Sequence, residues 1–229
     1  MGYRFGRLDL DHTLLDSAAS EAAAFDRTVR SIGVTPTSDL FDRYRTINQT
    51  LWAAVERGDL TPDRLKLLRF EQFTESIGAE ADPAVMAKTF TGGLGDNGDL
   101  YPGARAVLGR LDQVATLAMV TNGLSDVQRR RIERLDLARY FDAVVISAEV
   151  NTAKPGTAIF DLTFDKLGNP DRAEALMVGD SLTSDIQGGH NAGVDTCLYD
   201  PAGVHPPDAR PTPTHRITTL EELVPLVAG

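Results

Sequence analysis

Cysteine is almost missing from this chain of 229 residues, with Cys197 its sole instance. An intrachain disulfide is therefore excluded, and with it a small secreted fold stapled by bridges. Cys197 itself, in Val194-Asp-Thr-Cys-Leu-Tyr199, reads as a small apolar residue. Positive charge is in deficit as well. Lysine and arginine number 23 against 33 aspartates and glutamates, a formal net charge of -10, which argues against a surface built to neutralise long nucleic acid. One small phosphorylated ligand is still allowed, because a metal ion and a few local cations dominate the field at short range. Long apolar runs are lacking too. Arg4, Arg7, Asp9 and Asp11 break up the first twenty residues, so neither a signal peptide nor a membrane span is expected, and the expected location is the cytoplasm.

What is present begins with Leu8-Asp-Leu-Asp-His-Thr-Leu-Leu-Asp-Ser17, which sets Asp9 and Asp11 two residues apart where an apolar segment gives way to a turn. In extended backbone both carboxylates face one way. Taken alone, the pair could equally be an acidic turn after an edge strand. Tyr3 to Leu10 reads as that strand, although Arg4, Gly6 and Arg7 are poor residues for a buried parallel strand.

From Ala18 onward the pattern is helical. Helices are expected over Ser20–Ile32, over Ser38–Arg57 and over Thr61–Ile77. Thr61-Pro62 supplies an N-cap followed by proline at the first helical position, and Asp82-Pro83 repeats the device for a fourth helix through Val85, Met86 and Phe90. Gly92 to Gly103 carries five glycines and Pro102 and reads as a flexible return hinge. Strand and helix then alternate. Strands are expected at Val114–Val120, Ala143–Ile146, Ala175–Val178 and Thr196–Leu198. Helices are expected at Ala104–Leu111, Asp126–Leu137, Ile159–Leu167, Ser184–Ala192 and Leu220–Val227, with a proline-rich surface loop over residues 201–213. Such alternation predicts an α/β fold, a Rossmann-like doubly wound parallel sheet, with residues 1–17 and 96–229 as its core and residues 18–95 as an inserted helical cap. Ligands of such sheets bind beyond the carboxyl ends of the strands.

Those ends share a chemistry. Val120-Thr121-Asn122-Gly123 closes the second strand, Lys154-Pro155 follows the third, and Val178-Gly-Asp-Ser-Leu-Thr-Ser-Asp185 closes the fourth. With Asp9 and Asp11 they make an ordered set that resembles the four motifs of the haloacid dehalogenase-like superfamily of phosphohydrolases, across essentially the whole chain. The finer resemblance is to its pyrimidine 5′-nucleotidases. It rests on Asp9 to Leu14, Ile47-Asn48-Gln49 with Leu51-Trp52, Arg69-Phe70, and the run from Val178 to Gly189 continuing through Asn191 to Leu198. Departures are Arg7 and Leu8 ahead of the nucleophile, Asn151 ahead of the lysine and Gly156-Thr157 after Pro155.

The resemblance implies a Mg²⁺-dependent phosphomonoesterase in which Asp9 attacks phosphorus to form an aspartyl-phosphate and Asp11 serves as general acid and base. Asp9, the main-chain carbonyl of Asp11 and Asp180 would hold Mg²⁺, with Asp185 in the metal site or one step behind it. Thr121, Asn122 and the main-chain N–H of Gly123 would donate to the phosphoryl oxygens, and Lys154 would offset their charge. The implied partner is a small phosphorylated metabolite, a nucleoside monophosphate above others. Within the cap, Asn48, Gln49, Trp52 and Arg69 are candidates for facing base or sugar, although Trp52 also fits the apolar stripe of its helix with Leu40, Tyr44 and Val55. The rival within the class is a sugar-phosphate or phosphoglycolate phosphatase or a mutase of the same fold; the rival outside it is a noncatalytic binding module.

Overall fold

A computed structural model describes residues 2–229. The chain opens with β1 (Phe5–Leu8) and continues through α1 (Ser17–Ser31), α2 (Ser38–Glu56), α3 (Pro62–Ile77) and α4 (Pro83–Asp96). It then runs α5 (Ala104–Leu111), β2 (Thr116–Thr121), α6 (Ser125–Arg134), β3 (Ala143–Ile146), α7 (Ser147–Val150) and α8 (Thr157–Lys166). Last come β4 (Ala175–Gly179), α9 (Gln187–Ala192), β5 (Asp195–Tyr199), β6 (His215–Ile217) and α10 (Leu223–Ala228). Among the described residues no helix is long and apolar enough to cross a membrane.

The strands form one sheet in the order β3-β2-β1-β4-β5-β6, and every neighbouring pair is parallel. This is the order of a doubly wound Rossmann-like sheet, in which the chain leaves β1 towards β2 on one side and later returns to β4 on the other. Residues alternate between its two faces with the period of two that a strand imposes. Leu8, Met119, Leu176 and Val178 point into a core shared with Leu108 of α5 and Leu223 of α10. Val120, Ala175 and Met177 point the other way, onto Ile159, Phe160 and Phe164 of α8. Helices α1 to α4 have a separate core of Phe25, Tyr44, Phe70, Phe73 and Phe90, with Tyr44 ring-to-ring against Phe25 and Phe90 at 5.1 Å each.

The sequence signals for α3 and α4 act as proposed: Thr61 Oγ1 accepts the Arg64 N–H at 3.3 Å and Asp82 Oδ1 accepts the Ala84 N–H at 2.8 Å. The hinge over residues 92–103 is corrected. Helix α4 continues to Asp96, so Gly92, Gly93 and Gly95 lie inside it. At Gly93 the reason is close packing: a Cβ there would sit 2.9 Å from both Cα and Cβ of Ala24, so glycine lets α1 and α4 touch backbone to backbone. The true return connection is residues 97–103. Strand β1 is shorter than Tyr3–Leu10, and Arg7 is accommodated in it by lying fully buried with its guanidinium 3.6 Å above the Phe164 ring. Strand β6 follows the proline-rich loop as an edge strand that the sequence reading does not contain. The helix expected over Ser184–Ala192 begins instead as a wide π-helical turn, Leu182–Ile186, before α9.

Candidate active site

The sheet order brings β1 between β2 and β4, so the residues just past these three strands share one rim. The Asp9 N–H donates to the Val178 carbonyl at 3.0 Å, which ties the start of the acidic turn to β4. The turn closes on itself, with the Leu14 and Leu15 N–H groups donating to the Leu10 carbonyl at 3.0 and 2.9 Å. It leaves Asp9 and Asp11 at the foot of one cleft of about 540 Å³.

Lys154 arrives from beyond β3. Its ammonium, 1% exposed, donates to Asp9 Oδ1 at 2.7 Å and to Asp185 Oδ1 at 2.6 Å. The wide turn after β4 aims Asp185 inward, and its Oδ2 accepts the Ser181 N–H at 3.0 Å. Thr13 Oγ1 donates to Asp180 Oδ1 at 3.3 Å. Carboxylate oxygens of Asp9, Asp180 and Asp185 all lie within 4.8 Å of one another, so three carboxylates face one ammonium. Burial pushes Asp9 up to about 8, with the pull of Lys154 opposing and the charges of Asp185 and Asp180 reinforcing it. Asp180 rises to about 7, first through burial and then through Asp185. Lys154 is also raised: burial works against its charge, but Asp185 and Asp9 outweigh it. A buried oxygen cluster short of positive charge is the donor set that a hard divalent cation fits.

Asp11 has different company. Its Oδ1 accepts from Arg131 Nη1 at 2.6 Å and from the Ser17 hydroxyl in a short contact, and its Oδ2 accepts from Gln128 Nε2 at 2.6 Å. Burial alone would raise this carboxyl; Arg131, Ser17 and Gln128 together hold it below the usual range. The two aspartates of one turn are thus poised oppositely, Asp9 held up and Asp11 held down.

The second motif is partly engaged in holding the site together. The Asn122 side chain donates to the Lys154 carbonyl and accepts the Lys154 N–H, both at 2.9 Å. The Gly123 N–H donates to Ser147 Oγ at 3.0 Å. One Asn122 amide hydrogen and the Gly123 N–H thus fasten the lysine loop and α7 to β2, while Asn122 also lines the cleft and its amide carries a second hydrogen. Thr121, at the end of β2, accepts from Gln128 Nε2 at 3.0 Å.

The upper wall of the cleft comes from the helical layer. Asn48, Gln49, Trp52 and Arg69 all line it, opposite Asp9, Lys154 and Asp180. Trp52 divides its surface, packing partly against Leu51, Val55 and Leu65 while also lining the cleft. Arg69 is 1% exposed, sits 4.5 Å from the Phe90 ring centroid and reaches Asn48 Oδ1 from Nη1 at 3.4 Å; its Nε and Nη2 have no protein partner. Asn48 in turn donates to Glu21 at 2.9 Å. Sequence reasoning missed Glu21, Gln128 and Arg131. The signal for the last two was available. Helical spacing sets them on the stripe of Val127, Ile132 and Leu135, where a polar residue needs a partner.

A doubly wound parallel sheet with paired aspartates past β1, a buried lysine and further carboxylates at one rim, roofed by helices, defines a hydrolase of the α/β class. Residues 8–199 match the haloacid dehalogenase-like hydrolases, and the chain belongs to that family. It is 36% identical to the pyrimidine 5′-nucleotidase YjjG of Escherichia coli over 219 residues, covering 96% of this chain and 95% of that protein. It is 32% identical to the pyrimidine 5′-nucleotidase PynA of Streptococcus pneumoniae, covering 98% and 94%. The crystal structure of the HAD-hydrolase YfnB of Bacillus subtilis bound to magnesium superposes with a TM-score of 0.91 at 34% identity, covering 99% of each chain.

Proposed function

We propose that this hydrolase is a phosphomonoesterase for small phosphorylated metabolites, and that the substrate class fitting it best is a pyrimidine nucleoside 5′-monophosphate. The carrying observation is that Asp9, held beside Lys154 at the foot of the cleft, faces a wall bearing Asn48, Trp52 and Arg69. The nucleotidase relatives support the same substrate. On this reading residues 1–17 and 96–229 carry the chemistry and residues 18–95 cap it.

Asp9 attacks phosphorus as the carboxylate it becomes when a cation is held beside it, and the bond from phosphorus to the ester oxygen breaks. Asp11, kept ionised by Arg131, Ser17 and Gln128 before substrate binds, takes the acid proton that a phosphate monoester brings and gives it to that oxygen. Asp11 then takes a proton from the water that attacks phosphorus, and the bond to Asp9 breaks to release phosphate. Lys154 offsets the charge on the equatorial oxygens, and Asn122, which lines the cleft, joins the Thr121 hydroxyl in binding them. The carboxylates of Asp9 and Asp180 with the main-chain carbonyl of Asp11 would hold Mg²⁺, which when bound neutralises charge on the phosphoryl oxygens. Asp185 serves Lys154 in preference to the ion, because Lys154 and Ser181 occupy both of its oxygens. In the cap, Trp52 offers a face for a base, and the charge of Arg69, which lines the cleft beside Asn48, favours an acceptor such as a ring carbonyl.

Phosphate release from nucleoside monophosphates, sugar phosphates and p-nitrophenyl phosphate, with Mg²⁺ and with EDTA, tests the reading. Turnover abolished by EDTA and by Asp9→Asn, with kcat/KM highest for a pyrimidine nucleotide, is expected. Turnover that survives Asp9→Asn would overturn the mechanism, and preference for a sugar phosphate over every nucleotide would overturn the substrate.

A further inference from the structure

The mechanism above leaves two buried polar side chains beside Asp11 unused. Gln128 and Arg131, three residues apart on α6, are 1% and 3% exposed. Between them they reach both oxygens of Asp11, Arg131 Nη1 touching Oδ1 and Gln128 Nε2 touching Oδ2 at 2.6 Å each. Gln128 also donates to Thr121 Oγ1 at 3.0 Å and lies so close over Gly123 that a Cβ there would come within 2.6 Å of its Nε2; only glycine leaves room for it. Arg131 also donates from Nη1 to Gln128 Oε1 at 3.3 Å, which fixes the amide's orientation. Its remaining contacts leave the rim altogether: Nη2 donates to Ser20 Oγ of α1 at 2.8 Å and Nε to the Leu94 carbonyl of α4 at 3.0 Å.

We propose that Gln128 and Arg131 are positioning residues for the Asp11 carboxyl, and that Arg131 links its aim to α1 and α4, two helices of the layer roofing the cleft. The inference rests on the phosphomonoesterase reading, in which Asp11 must point at the ester oxygen. A carboxyl on a turn has two free side-chain torsions, and donors fixed on both oxygens by a neighbouring helix remove that freedom. A charge-assisted bond is also short and directional, which suits aiming better than bulk packing does. The arrangement gives Arg131 two duties, at Asp11 and at the roof, which its four partners satisfy together.

Leaving groups separate positioning from simple support of the fold. An alkyl ester needs a proton on its departing oxygen and p-nitrophenolate does not, so misaiming Asp11 harms kcat/KM for the alkyl ester selectively. Arg131→Met, Arg131→Lys and Gln128→Met would each be measured alone and combined with Asp11→Asn, using p-nitrophenyl phosphate and the best alkyl phosphate ester. The expected result for Arg131→Met is a loss roughly ten- to a hundredfold greater on the alkyl ester, smaller for Gln128→Met and partly restored in Arg131→Lys. In the Asp11→Asn background the selective loss should vanish, since a residue acting through Asp11 has nothing left to aim. Equal losses on both esters, or a selective loss that persists in the Asp11→Asn background, would overturn the inference and leave the phosphomonoesterase reading intact. Wild-type protein that turns over neither ester would overturn both.

Discussion

Replacing Lys154 by methionine keeps an unbranched side chain, one atom shorter, and removes the charge that Asp9 and Asp185 share. The ammonium is 1% exposed and its two partners 10% and 1%, so water cannot take over its role. Removing one member of a buried ion pair costs about 3–5 kcal/mol, because the other is left uncompensated. Here the loss should fall near 3 kcal/mol, since Asp9, already raised by burial, can take a proton instead of remaining an unpaired anion. For a chain of this size each kcal/mol is worth about 2–4 °C, so calorimetry near neutral pH in EDTA should show a melting temperature lower by roughly 6–12 °C. Excess Mg²⁺ should raise the melting temperature of Lys154→Met more than that of the wild type, because Asp185, released from Lys154, is then free to join Asp9 and Asp180 about a cation that partly replaces the missing ammonium. A fall of less than about 2 °C in EDTA, or equal responses of the two proteins to Mg²⁺, would refute the claim that charge balance at this rim is a stability term.

Metal-free protein should lose stability as pH rises. Asp9 and Asp180 sit at about 8 and about 7 when folded, above the unfolded carboxylate range, so the native state holds protons that the unfolded chain has released; their contribution is complete in acid and lost as pH passes through those values. Melting temperatures in EDTA should decline from about pH 5 to about pH 9 and flatten with saturating Mg²⁺, and a rise over that interval would contradict the assignment. The neighbouring glycines of α4 should respond with opposite signs: Gly92→Ala, with nothing within 4 Å of its new Cβ, should stabilise by about 0.5–1 kcal/mol. Gly93→Ala, pressed against Ala24, should destabilise by about 1–3 kcal/mol despite the better helix former; urea denaturation would show both, and equal shifts would revive a hinge. Arg69→Met should raise KM for a nucleoside monophosphate roughly tenfold or more while leaving p-nitrophenyl phosphate turnover within about twofold; equal loss on the two would remove Arg69 from substrate recognition.

Much of the rim was readable before any fold was known, because its chemistry needs particular residue types at strand ends and the alternation after Pro102 says where those ends fall. Helix starts were readable for a local reason: Thr61-Pro62 and Asp82-Pro83 are caps that act within a turn of chain. What was not readable depends on distant partners. The glycines of α4 look like a hinge until Ala24 is seen against Gly93. Strand β6 is three residues long with only Ile217 buried, too brief for any period to register. Arg7 argues against its own strand until Phe164 supplies a face for the guanidinium. In SDVQRRRIER helical spacing sets Arg131 on the buried face and Arg129 off it, but nothing local says that the partner of Arg131 is Asp11 and that of Arg129 is Glu149.

The central claim, that Asp9 is the group that takes the phosphoryl from substrate, is tested most directly by trapping the protein during turnover. Acid-quenched enzyme digested and mapped by mass spectrometry should carry a phosphoryl group on the peptide containing Asp9. The label should be released by hydroxylamine, as an acyl phosphate is, and should be absent from Asp9→Asn. A label on any other residue, or full phosphate release under the same conditions from Asp9→Asn, would contradict the account.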